Sequence, residues 1–207
     1  MLVLASNSPR RKQLLALTGW EFTILPADVD ESMLPGELPK TYVNRLAETI
    51  AFIVFSTVLQ KGSYSTGFIV IAADTTVVDG EDILGKPADA QDAERMLRRL
   101  RGREHTVYTA LAVVSTLDGR LLTDLCATQV PMRHYSDAEI QAYIASGDPL
   151  DKAGAYAIQH AGFHPVSFLH GCFANVMGLP LCHLARLLRQ MGVATTPLKG
   201  KRGVMYM

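Results

Sequence analysis

Three consecutive cations, Arg10, Arg11 and Lys12, stand where a helix begins. The stretch LASNSPRRKQLL, residues 4–15, runs from an apolar strand through Ser8, a helix-capping residue type, into Pro9 at the first helical position. The first turn of a helix has unpaired N–H groups and a partial positive charge. Cations there are unfavourable unless an anion offsets them. Ser8, Arg10 and Arg11 are therefore candidates to bind phosphate. A solvated helix face accounts for the same run equally well.

Four more stretches carry chemically capable residues. IAADTT, residues 71–76, predicts that the buried run Phe68–Ala73 ends at Asp74. A carboxylate at the carboxyl end of a buried strand can hold a metal or act as a base. A turn-forming Asp is the plainer alternative. The acidic loop Asp28, Asp30 and Glu31 could offer oxygen ligands to a divalent ion, or could simply be solvated. GEDILGKP, residues 80–87, matches a phosphate loop until Pro87 replaces the required Ser or Thr, so it is not one. Lys86 remains a candidate point charge for phosphate, or an ordinary turn lysine. In DPLDKAGAYAIQH, residues 148–160, Lys152 and the Gln159 amide could meet a ligand where small residues allow close approach. A bland loop fits as well.

The elements that must position these residues follow from periodicity. Strands are predicted at Leu2–Ala5 and Phe22–Leu25. A long helix is predicted at Pro39–Leu59, with Val43, Leu46, Ala47, Ile50, Ala51, Val54 and Val58 on one face. Phe68–Ala73 predicts a two-sided buried strand, and Asp79-Gly80 a hairpin turn between Thr76–Val78 and Ile83–Leu84. Gln91–Arg101 predicts a helix with Ala93, Met96, Leu97 and Leu100 inward. Thr106–Ser115 and Arg120–Val130 predict paired strands. Ser136 with Glu139 forms a capping box for a helix to Ser146, loops follow, and Leu181–Met191 closes the pattern. Helices mixed with strands give an α/β class with some antiparallel pairing.

Twenty Lys+Arg balance twenty Asp+Glu, which removes any general pull on nucleic acid. Cys126, Cys172 and Cys182 lack metal or disulfide spacing and read as buried free thiols of a reducing compartment. The six histidines lack metal spacing too. The apolar stretch Ile50–Leu59 is too short to span a membrane, and no signal peptide is visible, so a cytoplasmic protein is expected. The basic tail from Thr195 is expected to be disordered.

LASNSPRRKQLL, DVDE, AADTTV, LGKP, DPLDKAGAYAIQ and NVMGLPL occur in this order over nearly the whole chain. Together they resemble the Maf family of nucleoside triphosphate pyrophosphatases. The resemblance implies hydrolysis of a triphosphate to monophosphate and pyrophosphate, a house-cleaning activity that uses a divalent metal, Mg or Mn. It implies an elongated mixed sheet with flanking helices and two lobes around a nucleotide cleft. One domain would cover residues 1–194, and a homodimer is possible in such a family. The catalytic proton acceptor falls on Asp74, and Glu31 would help it hold the metal. Arg10, Thr75 and Gln159 match the specificity positions of the dTTP/UTP branch; the sister branch carries Trp, Gln and Glu there. Ser8, Arg11, Lys86 and Lys152 would meet phosphates.

Three positions depart from the family pattern. Ile50 replaces a lysine of the long helix, which costs the cleft a cation. Ala157 and His160 replace glycines beside Gln159. Cys172-Phe173 replaces a Ser-Tyr or Asp-Tyr pair. These departures keep two rivals open: the same chemistry on another nucleotide such as CTP, or a catalytically weakened nucleotide-binding regulator of cell division.

Overall fold

Two long apolar segments, residues 69–79 and 104–115, bury both of their faces, and the fold is built on that pair. The computed structural model describes residues 1–60 and 67–195; the tail from residue 196 onward lies outside the described residues. The elements run β1 (Leu2–Leu4), α1 (Pro9–Ala16), β2 (Phe22–Ile24), α2 (Pro39–Gln60), β3 (Ile69–Asp79), β4 (Asp82–Leu84), α3 (Ala90–Leu100), β5 (Glu104–Ser115), β6 (Leu121–Pro131), α4 (Asp137–Ala145), α5 (Phe173–Val176) and α6 (Leu181–Gln190). Short 3₁₀ turns at Asp148–Asp151 and Ala153–Ala155 occupy the stretch expected to be loop.

One sheet has the order β2-β1-β3-β5-β6, with β4 also pairing on β3. β1 is parallel to β2 and β3, and all other pairs are antiparallel. The class is the mixed, helix-flanked α/β sheet that the sequence predicts. The seven-residue stripe of α2 and the four inward residues of α3 are buried as their spacing requires. The α4 capping box forms with both of its reciprocal hydrogen bonds.

The end of β3 needs correction. The strand does not stop at Ala73; it runs through Asp79, because β5 pairs with it without interruption from Ile69 to Val78. What stops is the other neighbour. β1 pairs with β3 only as far as Ile71, and β4 joins only at Val77. Between them the edge of β3 is open, and Asp74 and Thr75 lie in that gap. Asp74 therefore sits past the carboxyl end of β1, in mid-strand on β3.

Alternation along β3 sends neighbours to opposite faces. Val70 and Ala72 pack with the stripe of α2. Ile71 and Ala73 pack with α1 and α6. Farther along that second face, Val77 and Val107 join α3 and α4 in a separate apolar cluster. The polar residues Thr75 and Thr109, paired in register, lie between the two clusters. The chain after α4 folds back onto this junction. Gly154 N–H donates to Gly85 O at 3.0 Å. Its φ of +71° and the 2.9 Å between an added Cβ and Val77 Cγ1 leave room for glycine only.

α2 runs from Pro39 to Gln60, one residue past the predicted end. The Ile50–Leu59 stretch belongs to a helix long and apolar enough, by composition, to cross a membrane. Its buried stripe is spent on the sheet, while Phe52 and Ile53 stay exposed on the far side.

His105 on β5 is almost fully buried, and its Nε2 lies 2.8 Å from the Tyr156 hydroxyl. Burial pushes its pKa down to about 4, against the pull of Asp79. The folded state thus holds His105 neutral, while the unfolded chain takes up a proton near pH 6.5. Stability from this group is complete above pH 6.5 and is lost as pH falls toward 4, by roughly 3 kcal/mol. Urea unfolding at pH 7 and pH 4.5 checks this: the His105→Gln variant is expected to lose less stability between the two pH values than the unaltered protein.

Candidate active site

The gap in β3 opens into a cleft of about 810 Å³. Its lining includes Ser8, Arg10, Arg11, Glu31, Asp74, Thr75, Lys86, Lys152 and Gln159. These nine include every candidate site residue from the sequence except Asp30 of the acidic loop and Asp28, which also lines the cleft; Thr75 is among them through the family resemblance alone. They come from α1, the acidic loop, mid-β3, the β4–α3 turn and the segment after α4.

Ser8 caps α1 by accepting the Arg11 N–H at 3.4 Å, so the helix start faces the cleft as its Ser-Pro signal requires. Arg11 is the clamp of the site. Its Nε donates to Gly178 O at 2.9 Å, its Nη2 to Thr75 Oγ1 at 3.1 Å and its Nη1 to Ser6 Oγ at 3.4 Å. These bonds join α1, β1's end, β3 and the loop after α5. Burial lowers the pKa of the guanidinium, while Asp74 acts to raise it. Gly178 has φ +99°, and an added Cβ would lie 3.2 Å from Thr75 Oγ1 and 3.3 Å from Arg11 Nε, so only glycine lets these groups meet.

Asp74 is only partly exposed as a residue, and its Oδ2 is buried with no hydrogen-bond partner among the described residues. Burial raises its pKa, opposed first by Arg11 and then by the Thr75 N–H; Glu31 raises it further and Lys86 lowers it. A buried carboxylate oxygen lacking a donor suits a hard cation. Glu31 faces the same space from the mouth, where it pairs with Lys86 at 3.5 Å, both largely exposed. Among the described residues no group of three or more His, Cys, Asp or Glu could enclose a metal. A two-carboxylate edge, completed by phosphate oxygens and water, is the pattern of Mg²⁺ sites. Of the acidic trio, Asp28 lines the cleft but Asp30 turns away and accepts the Ser32 N–H at 2.9 Å.

Arg10 and Gln159 both line the cleft and have no side-chain partner among the described residues. They are free to meet a ligand. Lys152 is different. Its Nζ is buried and donates to Asp148 O at 2.6 Å, Asp148 Oδ1 at 3.0 Å and Asp151 Oδ1 at 2.7 Å. All three ammonium protons are used within its own turn, so a phosphate must displace a carboxylate to reach it.

Sequence reasoning missed several participants. Tyr42 lines the cleft and donates to Glu31 O at 2.8 Å, fixing the acidic loop; burial, then Asp74 and Glu31, push its pKa up to about 12. No local signal marks it, since it stands just ahead of the α2 stripe. Asn175 and Gly178 were legible only as part of NVMGLPL. His160, in place of a glycine, accepts the Phe163 N–H at 2.9 Å through Nδ1 and so shapes the turn after Gln159. Ile50, in place of the expected lysine, is buried against the cleft floor.

The cysteines also need correction. Only Cys126 is buried; Cys172 is intermediate and Cys182 exposed. Tertiary folding gathers residues that are scattered in sequence: Cys126 and Cys172 act on each other, which holds the Cys172 pKa down and that of Cys126 up.

Comparison with known proteins meets this geometry. Residues 1–191 match the family model described as Maf-like protein. A relative from Anaeromyxobacter dehalogenans is 49% identical over 92% of this chain and 94% of its own length. Relatives from Geotalea uraniireducens and Hahella chejuensis are 47% and 46% identical, each over more than nine-tenths of both chains. All three are named dTTP/UTP pyrophosphatase. With the motifs converging on one cleft and a match over nearly the whole length, the chain belongs to the Maf family.

Proposed function

We propose that this protein hydrolyses dTTP and UTP to the monophosphate and pyrophosphate, acting as one two-lobed unit over residues 1–194. The observation that carries the reading is the pairing at the β3 gap: an orphaned Asp74 oxygen beside the Arg11 clamp. Water attacks the α-phosphorus, its oxygen joins the monophosphate, and the bond to the β-phosphate oxygen breaks to release pyrophosphate. A divalent cation, Mg or Mn, bound at Asp74 and Glu31 would supply charge neutralisation at the phosphate oxygens.

Asp74 takes the proton of the attacking water. Its place in the gap puts it where a phosphate chain and the attacking water can reach. Arg11 uses its remaining donors on phosphate oxygens, together with Lys86 at the mouth and the Ser8 hydroxyl at the helix start. Lys152 first holds the 148–152 turn and reaches phosphate only by exchanging Asp151. Arg10, Thr75 and Gln159 read the base edge. A site built on hydrogen bonds rejects a mismatched edge more sharply than shape does.

Pyrophosphate release from dTTP and UTP with Mg²⁺ or Mn²⁺ tests the reading; no release above background overturns it. Arg10→Trp is expected to change the ratio of kcat/KM between triphosphates by about tenfold or more, while leaving stability nearly unchanged, because Arg10 has no partner to lose. A triphosphate panel with a melting curve checks both. Ile50 on the cleft floor favours a second reading, a nucleotide-binding regulator of weak catalysis. That reading wins if dTTP raises the melting temperature but is never hydrolysed.

A further inference from the structure

A row of hydroxyls crosses the sheet between its two apolar clusters. Thr75 on β3 stands in register with Thr109 on β5. Thr109 is completely buried and does not line the cleft. Its Oγ1 donates to the backbone carbonyl of Asn175 at 2.9 Å and lies 3.0 Å from Thr75 Oγ1. Asn175 is itself locked, with its Nδ2 donating to Val107 O at 3.0 Å and Thr128 Oγ1 at 2.9 Å.

The direction of this chain is forced. A carbonyl only accepts, so the single proton of Thr109 goes to Asn175. Thr109 then has nothing to donate to Thr75 and must accept from it. The single proton of Thr75 is spent in turn. Arg11 Nη2 fills one of the two Thr75 lone pairs, at 3.1 Å. What Thr75 can offer the cleft is one lone pair and no proton.

We propose that Thr109 is a positioning residue that fixes Thr75 as an obligate hydrogen-bond acceptor, so that the site admits bases with an N–H facing Thr75 and rejects bases with a bare ring nitrogen there. The inference rests on the proposed function, in which Thr75 reads the base. Uracil and thymine carry N3–H. Cytosine carries a lone pair at N3, which would face another lone pair and leave a buried acceptor unpaired. Thr109 touches no substrate in this scheme; it sets the polarity of the residue that does.

The test compares kcat/KM for UTP and CTP, measured on one preparation of each protein so that the ratio does not depend on the folded fraction. Thr109→Val removes the acceptor and lets the Thr75 proton turn into the cleft. The UTP-to-CTP ratio is expected to fall by about tenfold or more, with the gain on the CTP side. Thr109→Ser keeps the hydroxyl and should keep the ratio within about threefold. A merely structural role would depress both substrates together and leave the ratio alone.

A ratio unchanged in Thr109→Val, or lost equally in Thr109→Ser, overturns the proposal. Should the Val variant fail to fold, the unaltered protein still decides with 3-deaza-UTP, which has C–H where UTP has N3–H. It should be hydrolysed at least about tenfold less efficiently than UTP; equal efficiency overturns the proposal. An unaltered protein that hydrolyses UTP and CTP alike also overturns it while sparing the pyrophosphatase reading. Hydrolysis of neither UTP nor dTTP overturns both.

Discussion

Asp74→Asn is expected to lower kcat for dTTP and UTP by about a thousandfold and to raise the melting temperature of the ligand-free protein. Both effects have one cause. The carboxylate sits in the β3 gap with one oxygen buried and unpartnered, and burial raises its pKa despite Arg11. For a group whose folded pKa lies above its unfolded value, the stability contribution is complete below the unfolded pKa. It is lost as pH rises through the folded pKa. The asparagine mimics the protonated form at every pH. The two melting temperatures should therefore coincide in acid and separate as pH rises, with the variant higher at neutral pH. Melting curves between pH 4 and 8, with pyrophosphate release at each pH, check all of this. A variant less stable than its parent at neutral pH would mean that Asp74 serves the fold and not the reaction. Mg²⁺ or Mn²⁺ should stabilise the parent and not the variant.

Arg11→Ala should depress kcat/KM for every triphosphate alike, by about a hundredfold or more, and cost the fold about 2 kcal/mol. The activity loss follows from the proposed role of Arg11 at the phosphate oxygens. The stability loss follows from the three oxygens the side chain now satisfies: Gly178 O, Thr75 Oγ1 and Ser6 Oγ. Arg11→Lys separates the two. An ammonium keeps the charge but cannot span these oxygens as the planar fork does. It should restore part of the activity while the loop at Gly178 stays loosened. Kinetics on dTTP, UTP and CTP beside urea unfolding distinguishes these outcomes. Losses that differ strongly among the three bases would show that Arg11 selects the base as well as holding phosphate.

The stripes of α2 and α3, the Ser8 and Ser136 caps and most strand positions were legible in the sequence, because each is a local signal. A helical face repeats every three or four residues, and a capping side chain reaches only three residues ahead. Eight of the nine candidate residues stood out in the sequence by their chemical type, and Thr75 was reached only through the ordered motifs of the family resemblance.

Tertiary structure decided what those residues can do. The open edge at Asp74 exists because β1 stops opposite Ile71 and β4 starts at Val77, and no residue near Asp74 encodes where its neighbours end. Lys152 reads as a free cation in sequence, yet its three protons are claimed by Asp148 and Asp151. The three cysteines read as scattered, yet Cys126 on β6 and Cys172 at the start of α5 come close enough to shift each other's pKa. Thr75 reads as an ordinary hydroxyl, able to donate or accept. Only the chain through Thr109 to the Asn175 carbonyl, 66 residues further on, takes its proton away. Residue type and local period are properties of a short segment, so the sequence determines them. Strand ends and hydrogen-bond direction are settled between segments far apart in the chain, so they exist only once it has folded.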